Sequence, residues 1–545
     1  MLRRRAGRAL LYAGPLAFLA VFFVYPLLSI LDLGLRPDGN LQLGVLADVL
    51  ADPDLREVAW FTLWQAALST VLTVVVALPG AYVLARFRFP GRRFVRALVT
   101  VPFVLPTLVV ASAFLALLGP RGPLPGSVDL RHTLWAILIA HVFFNYAVVV
   151  RTVGGLWSHL DPALEDAART MGAGRWRTFA TVTLPLLRPA IAAAAAIVFL
   201  FTLTSFGVVL VLGGPTYATL EVEIYRQTAV FLDLPVAAAL AVLQLVAVGA
   251  LLVVGARIAE RRGAELELRP MEEASRAPRT PGERALVAGN LALMAVLLGT
   301  PLAVLVERSL STAGGYSLDF YRALSESRRG STLFVAPTEA VANSLVFATV
   351  ATVIALVVGG LAAAALASGR GRTTRSFDAL LMLPLGTSAV TIGFGFLVAL
   401  DSPPLDLRAS PVLVPIAHAL VAIPFVVRTM TPVLRAISTR LREAAAVLGA
   451  SPLRAWREVD LPIVARAALV AAGFAFAISL GEFGATVFIA RADYPTVPIA
   501  IFRFLGQPGL ANFGQAMALS VILMALTAVA VLAIERLRVG QLGEF

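Results

Sequence analysis

Apolar residues occur along this chain in long blocks, separated by short segments rich in arginine. A helix needs about 20 residues to cross the hydrocarbon core of a bilayer, because each residue rises about 1.5 Å. Helices are favoured because every backbone polar group inside a bilayer must be satisfied within its own segment. The pattern predicts twelve membrane-spanning helices, at about 10–31, 60–85, 98–118, 133–153, 188–212, 236–257, 285–306, 340–367, 377–400, 411–434, 465–489 and 514–534.

The distribution of arginine predicts the orientation of these spans. All 45 basic residues are arginines, and a cytoplasmic N-terminus puts 33 of them in or beside inside segments and 12 outside. Cytoplasmic loops of membrane proteins carry such an excess of positive charge. We therefore expect a multi-pass protein of the cell (inner or cytoplasmic) membrane with both termini in the cytoplasm. The first apolar block is too long for the core of a signal peptide and is interpreted as a retained helix.

Composition narrows the chemistry further. Hydrophobic residues make up 59% of the chain and charged residues 14%, whereas soluble domains are about half apolar and about a quarter charged. The chain contains no Cys and four scattered His, so neither a thiolate nor a metal site is expected, and no catalytic constellation is visible. The net charge of +12 follows from topology and does not call for nucleic acid as a partner.

The two halves of the chain repeat each other at a nearly constant offset. At 277 positions, Ala140-His141 pairs with Ala417-His418, and Phe206-Gly207 pairs with Phe483-Gly484. Upstream the offset becomes 282, pairing Pro102 with Pro384. Each half holds six spans, an even number, so the repeats are parallel and related by an axis along the membrane normal. The interface between them is the natural place for a pathway.

This repeat defines the expected domains and fold class. We predict a first six-helix repeat over 1–259 (core about 60–258), a second over 284–545 (core about 340–535), and a cytoplasmic linker at 260–283, where charge is mixed and apolar periodicity is lost. The fold class is an all-α integral membrane protein with twelve transmembrane helices in two parallel six-helix repeats.

One loop in each repeat carries the same motif, E/D-A-A-x-x-x-G followed by V-x-L-P. Acidic residues suit the start of a short helix, alanines let another surface approach, and glycine ends the helix with a positive φ. Leu-Pro marks the turn into the next span. The motif residues are Asp166, Ala167, Ala168, Gly172 and Pro185 in the first copy, and Glu443, Ala444, Ala445, Gly449 and Pro462 in the second.

These loops resemble the EAA loop of permeases in binding-protein-dependent ABC importers, although Asp166 stands where Glu is usual. The resemblance implies the type I (MetI-like) fold, and a loop helix that sits in a groove of a partner ATPase. It also implies three kinds of partner: two copies of that ATPase, an extracytoplasmic substrate-binding protein, and the lipid bilayer. The chain has no Lys, so it cannot form a phosphate-binding G-x-x-x-x-G-K-[ST] loop. We expect a transport subunit that is not an enzyme and binds no cofactor, with ATP and Mg on the partner.

The fused arrangement resembles the thiamine and ferric-iron branches of this family. The strings at 137–145 and 212–225 resemble the thiamine branch most closely, while Ser479-Leu-Gly-Glu-Phe-Gly484 is shared more widely. Thiamine or its phosphate esters are therefore the expected substrate, with ferric iron as the alternative. A secondary transporter driven by an ion gradient is a remote alternative, since it needs no docking loop.

Polar residues inside apolar helices are candidates for lining the translocation pathway, because they are costly unless they line a cavity or find partners. For the two histidines, hydrogen bonding between helices is the competing interpretation, and for the glutamate it is a structural pairing. The candidates are His141, Asn145, Ser205, His418 and Glu482.

Overall fold

The computed structural model describes residues 2–36, 39–40, 42, 44–120, 122–123, 129–260, 275–326, 333–401 and 405–539. Of the predicted linker, residues 261–274 lie outside the described residues. The described residues form helices almost throughout. The first half contains α1 (Leu2–Leu19, continued through a π-helical turn at Ala20–Val24 to Tyr25–Leu35), α2 (Gly44–Ala51), α3 (Pro53–Arg86), α4 (Arg92–Val104), α5 (Thr107–Leu118), α6 (Leu134–Trp157), α7 (Pro162–Thr170), α8 (Arg175–Leu203, with a π-helical turn at Phe179–Thr183), α9 (Gly207–Leu212), α10 (Leu220–Ala229) and α11 (Leu234–Glu260).

The second half repeats this order with one small addition, a two-stranded antiparallel hairpin of β1 (Ser311–Thr312) and β2 (Gly315–Tyr316). Its helices are α12 (Pro281–Leu310, with a π-helical turn at Ala295–Gly299), α13 (Asp319–Arg322), α14 (Pro337–Ser368), α15 (Arg372–Gly386), α16 (Ala389–Ala399), α17 (Leu413–Ala436), α18 (Thr439–Val447), α19 (Pro452–Ala455 continued through Trp456–Asp460 to Leu461–Gly481), α20 (Thr486–Ile489), α21 (Val497–Leu505) and α22 (Leu510–Val539).

Within the described residues, ten helices are long and apolar enough to cross a membrane, and the number becomes twelve if each of two broken pairs counts as one span. From α3 to α11 and from α14 to α22 the elements correspond one to one, as the offsets predict. The all-α membrane fold predicted from the sequence is confirmed.

Two predicted spans, 98–118 and 377–400, are not straight helices. The pair α4 and α5 is bent by 101°, and the pair α15 and α16 by 96°. In the first half, Pro106 lacks an N–H and forces Leu105 into an extended conformation, which ends α4. In the second half, the Ser388 hydroxyl accepts from the Val390 N–H at 3.0 Å and caps α16 instead. Hydropathy continues through both breaks, so it could not reveal them.

Two other predicted spans, 188–212 and 465–489, have wrong boundaries. Their helices start earlier and end at Leu203 and Gly481, and the last apolar residues form the separate short helices α9 and α20. The Glu482 side chain explains the second break. Its carboxylate accepts from the backbone N–H groups of Ala485 at 2.8 Å and Thr486 at 3.1 Å, so it begins a new helix.

The first helix of each half packs against the other half. Helix α1 lies along α14 and α16, and the Tyr12 hydroxyl donates to the Ala365 carbonyl at 3.2 Å. In the same way α12 lies against α3 and α5. One large apolar core contains residues from both halves, including Phe206 and Phe483. Both helices also pack on their own halves, α1 on α11 and α12 on α22, so each of them spans the boundary between the halves.

Candidate functional site: the interface between the repeats and the two EAA-like loops

Both intramembrane histidines are buried and hold neighbouring segments together. The His141 ring on α6 lies 2.9 Å from the Ser69 hydroxyl through Nδ1 and 2.9 Å from the Ser205 hydroxyl through Nε2. His418 on α17 lies 2.7 Å from the Ser479 hydroxyl. Each ring therefore has a partner on both nitrogens, which is the geometry of hydrogen bonding between helices.

Glu482 occupies the position that Ser205 holds in the first repeat. Besides capping α20, its carboxylate lies 3.3 Å from His418 Nε2, and the Thr486 hydroxyl bonds both groups. Asn145 donates to the His141 carbonyl at 3.0 Å, and its Oδ1 has no hydrogen-bond partner within the described part of the chain. The five pathway candidates thus form two clusters, one in each repeat, and the second differs by a carboxylate.

Four aromatic rings form a cluster between the repeats, which we call the aromatic quartet: Phe206, Tyr225, Phe483 and Phe502. Phe206 stacks on Phe483 with centroids 5.4 Å apart and planes at 18°. Tyr225 meets Phe502 edge to face at 6.2 Å. The two pairs within the halves have similar centroid distances, 5.7 Å between Phe206 and Tyr225 and 5.4 Å between Phe483 and Phe502.

The quartet identifies the pseudo-twofold axis. Phe206 and Phe483 are equivalent at the offset of 277, and so are Tyr225 and Phe502. A twofold axis passes midway between any residue and its equivalent. It must therefore run between the stacked rings and between the edge-to-face pair, so the quartet lies on the axis and its rings fill the space there.

A buried carboxylate that the sequence analysis did not single out crosses the same interface. Glu221 on α10 is fully buried, and its carboxylate accepts from the Ser388 hydroxyl of the other half at 2.6 Å and from the Gln244 side-chain amide. The sequence shows Glu221 in a polar stretch between two spans, which resembles an exposed loop. Its burial depends on packing against the second repeat, so no local signal could have revealed it.

The two EAA-like loops (165–185 and 443–462) form the same structure. In the first, the N–H groups of Gly172 and Ala173 donate to the carbonyls of Arg169 and Ala168, both at 3.0 Å, and Gly172 has φ of +88°. In the second, Gly449 has φ of +80° and takes part in equivalent bonds. This is the Schellman ending of a helix, which needs a left-handed residue and so favours glycine.

Both loop regions expose large apolar side chains at equivalent positions. Met171 and Leu448 are each 87% exposed, and Trp176 and Leu453 are 84% and 75% exposed. The motif residues Asp166, Ala167, Glu443 and Ala444 are exposed beside them. Large apolar residues exposed together on a monomer are typical of interaction surfaces.

Each loop is braced onto the start of the next long helix by an equivalent but chemically different contact. In the first repeat, Glu165 accepts from the Thr183 hydroxyl at 3.0 Å and pairs with Arg86 at 3.1 Å. In the second, Arg442 replaces Glu165 and pairs with Asp460, which replaces Thr183, at 2.9 Å. The contact is kept while the charge at the first of the two positions is reversed, so each loop is attached to the helix that follows it.

The end of the linker adds a further contact to the first loop. Arg276 forms an isolated parallel bridge with Phe87 and pairs with Glu283 at 2.6 Å. Arg175, which follows α7, lies 3.8 Å from the same carboxylate. The hydrogen bond between Arg276 and Glu283 raises the pKa of the Arg276 guanidinium above its usual value. The first EAA-like loop is thereby tied to the segment that leads into the second repeat.

Comparisons with known proteins agree with this architecture. Residues 77–262 match the family model described as "Binding-protein-dependent transport system inner membrane component". The chain is 29% identical over 535 residues to the thiamine transport system permease protein ThiP of Brucella abortus (strain 2308), covering 94% of this chain and 93% of that protein. It is 36% identical over 172 residues to the sulfate transport system permease protein CysT of Escherichia coli (strain K12), covering 31% of this chain and 62% of that protein.

Among solved structures, a chain of a bacterial ABC transporter involved in the import of the acidic polysaccharide alginate matches with a TM-score of 0.40 and 18% identity, over 48% of this chain and 99% of that one. The family match runs from within α3 to just beyond α11, and the internal repeat carries the same loop into the second half. The chain is therefore a two-repeat all-α membrane permease that is similar to permease subunits of binding-protein-dependent ABC importers, which are transport components rather than enzymes.

Proposed function

We propose that this permease imports thiamine or its phosphate esters, which it receives from an extracytoplasmic binding protein. The similarity to a thiamine permease over 94% of the chain carries this proposal, because the match to a sulfate permease covers only 31% of it. Ferric iron remains the alternative that the shared Ser479–Gly484 string suggests.

The EAA-like loops are the docking sites for two copies of a partner ATPase, one on each repeat. Support comes from the exposed apolar side chains at equivalent positions, Met171 with Leu448 and Trp176 with Leu453. ATP and Mg bind to that partner. The braces at Glu165 and Arg442 provide a route from a docked ATPase to α8 and α19.

The loops face the cytoplasm in this proposal, and so do both termini, in the inner (cytoplasmic) membrane. The excess of arginine in and beside these segments supports the orientation. Closure of the ATPase pair would move both loops and separate the repeats at the aromatic quartet. The pathway would then open alternately to the two sides of the membrane.

Uptake by the reconstituted transporter tests the substrate. Proteoliposomes containing the full chain, its ATPase and its binding protein should accumulate radiolabelled thiamine when ATP is present on the ATPase side, and should not accumulate ferric iron. Uptake should stop when the binding protein is omitted. Accumulation of iron without thiamine would replace the proposed substrate with the alternative.

A further inference from the structure

Glu221 is a carboxylate buried between the repeats with only neutral donors around it. The Ser388 hydroxyl and the Gln244 amide bond it, and no arginine or histidine pairs with it among the described residues. A carboxylate removed from water without a cation is costly. The two oxygens of Glu221 each accept one hydrogen bond from a neutral donor, so its negative charge has no countercharge among the described residues.

The carboxylate is linked to the aromatic quartet through its own helix and through its donor Ser388. Glu221 and Tyr225 are one helical turn apart on α10, which puts their side chains on the same face. Ser388, the donor from the other half, directly precedes Ala389. A Cβ on Gly484 would lie 3.0 Å from the Ala389 Cβ, so this segment packs closely on the residue that follows Phe483.

The charge is present on one side of the axis only. The residue equivalent to Glu221 in the second repeat is Pro498. Glu482, the other buried carboxylate nearby, is engaged by the N-terminus of α20 and by His418. Arg226 is held by the Gly214 carbonyl at 2.8 Å and lies 3.8 Å from Glu223.

We propose that the aromatic quartet and Glu221 form the selectivity site of the permease, for an organic cation that carries an aromatic ring. When the repeats separate, the stacked faces of Phe206 and Phe483 become available. An aromatic ring stacks on such faces and a cation is attracted to them. The Glu221 carboxylate then exchanges a neutral donor for the positive charge of the substrate. This inference rests on the proposed function and deepens it, since thiamine combines a cationic thiazolium ring with a pyrimidine.

The experiment measures thiamine uptake per ATP hydrolysed in proteoliposomes with the ATPase and the loaded binding protein. Glu221→Gln, which keeps the shape and removes the charge, should lower this ratio by about tenfold or more, as should Phe206→Leu, which removes one stacking face. Glu221→Asp, which keeps the charge, should recover most of the loss.

Two matched variants control for general damage. Glu223→Gln neutralises a buried carboxylate on the same helix whose nearest partners, Gln227 and Arg226, lie on α10 itself. Phe114→Leu removes a fully buried ring that packs edge to face on Phe143 at 5.5 Å. Both should keep uptake per ATP within about twofold of the wild type.

The outcomes separate the two proposals. If the wild type transports thiamine and Glu221→Gln and Phe206→Leu behave like their controls, the selectivity site is wrong while the proposed function stands. If Glu221→Asp loses as much as Glu221→Gln, the charge is not what matters and the site is also wrong. If the wild type transports no thiamine, the proposed substrate and the inference drawn from it both fall.

Discussion

The exposed apolar residues of the two EAA-like loops give a quantitative prediction for ATPase binding. Met171 and Leu448 are equivalent residues, each 87% exposed. Burying such a side chain in a partner groove contributes about 1.5–3 kcal/mol, and about 1.4 kcal/mol changes a dissociation constant tenfold. Replacing one of them with Asp removes that contribution and adds a charge that must lose its water. Met171→Asp with Leu448→Asp should therefore weaken ATPase binding at each loop by about ten- to hundredfold or more.

The assay is titration of the purified ATPase onto the detergent-solubilised full chain, with ATP hydrolysis measured in parallel. Phe231→Asp is the matched control, because Phe231 is also exposed but follows α10, at the opposite end of α8 from the first loop. It should leave the dissociation constant unchanged. A double loop variant that still binds within about threefold of the wild type would refute the docking role of these side chains.

Three smaller predictions concern the conformation of the loops and the linker. Arg442→Gln leaves the buried Asp460 without its cation and should cost about 1–3 kcal/mol, seen as a lower midpoint of thermal unfolding; an unchanged midpoint would show that the brace is dispensable. Gly172→Ala places a side chain at φ of +88°, so the bound conformation of the loop should become about 1–2 kcal/mol less favourable and ATPase binding about five- to thirtyfold weaker. Gly174→Ala, at a negative φ of −67°, should have little effect on binding. Equal effects of the two substitutions would contradict the strain argument. Arg276→Gln removes the ion pair to α12 and should speed limited proteolysis of the linker, and an unchanged rate would mean that this pair does not hold it.

The sequence predicted the features that depend on local pattern. The apolar blocks, the repeat and the glycine-terminated loop helices all depend on spacing along the chain, and the helices α7 and α18 and the positive φ angles of Gly172 and Gly449 agree with that spacing. The boundaries that failed are those where hydropathy continues through a break. Apolar residues continue on both sides of 203–207 and 481–486, where polar side chains satisfy the freed backbone.

The features that could not be predicted depend on contacts between the two repeats. Phe206 and Phe483 were seen as equivalent residues, but their stacking requires the axis to pass between them. Glu221 lies in a stretch whose composition resembles an exposed loop, and its burial comes from Ser388 of the opposite half. The packing of α1 and α12 on the opposite half likewise has no signal in the hydropathy of either helix.

In the proposed function, both repeats present their EAA-like loops to ATPase subunits in the cytoplasm. The chain contains no cysteine, so Trp176→Cys and Leu453→Cys each introduce a single thiol at equivalent exposed positions. Labelling with a membrane-impermeant maleimide is then measured in membrane vesicles of both orientations. Both thiols should react in inside-out vesicles only, and added ATPase should protect both. Reaction in right-side-out vesicles, or labelling that the ATPase leaves unchanged at both positions, would contradict the claim.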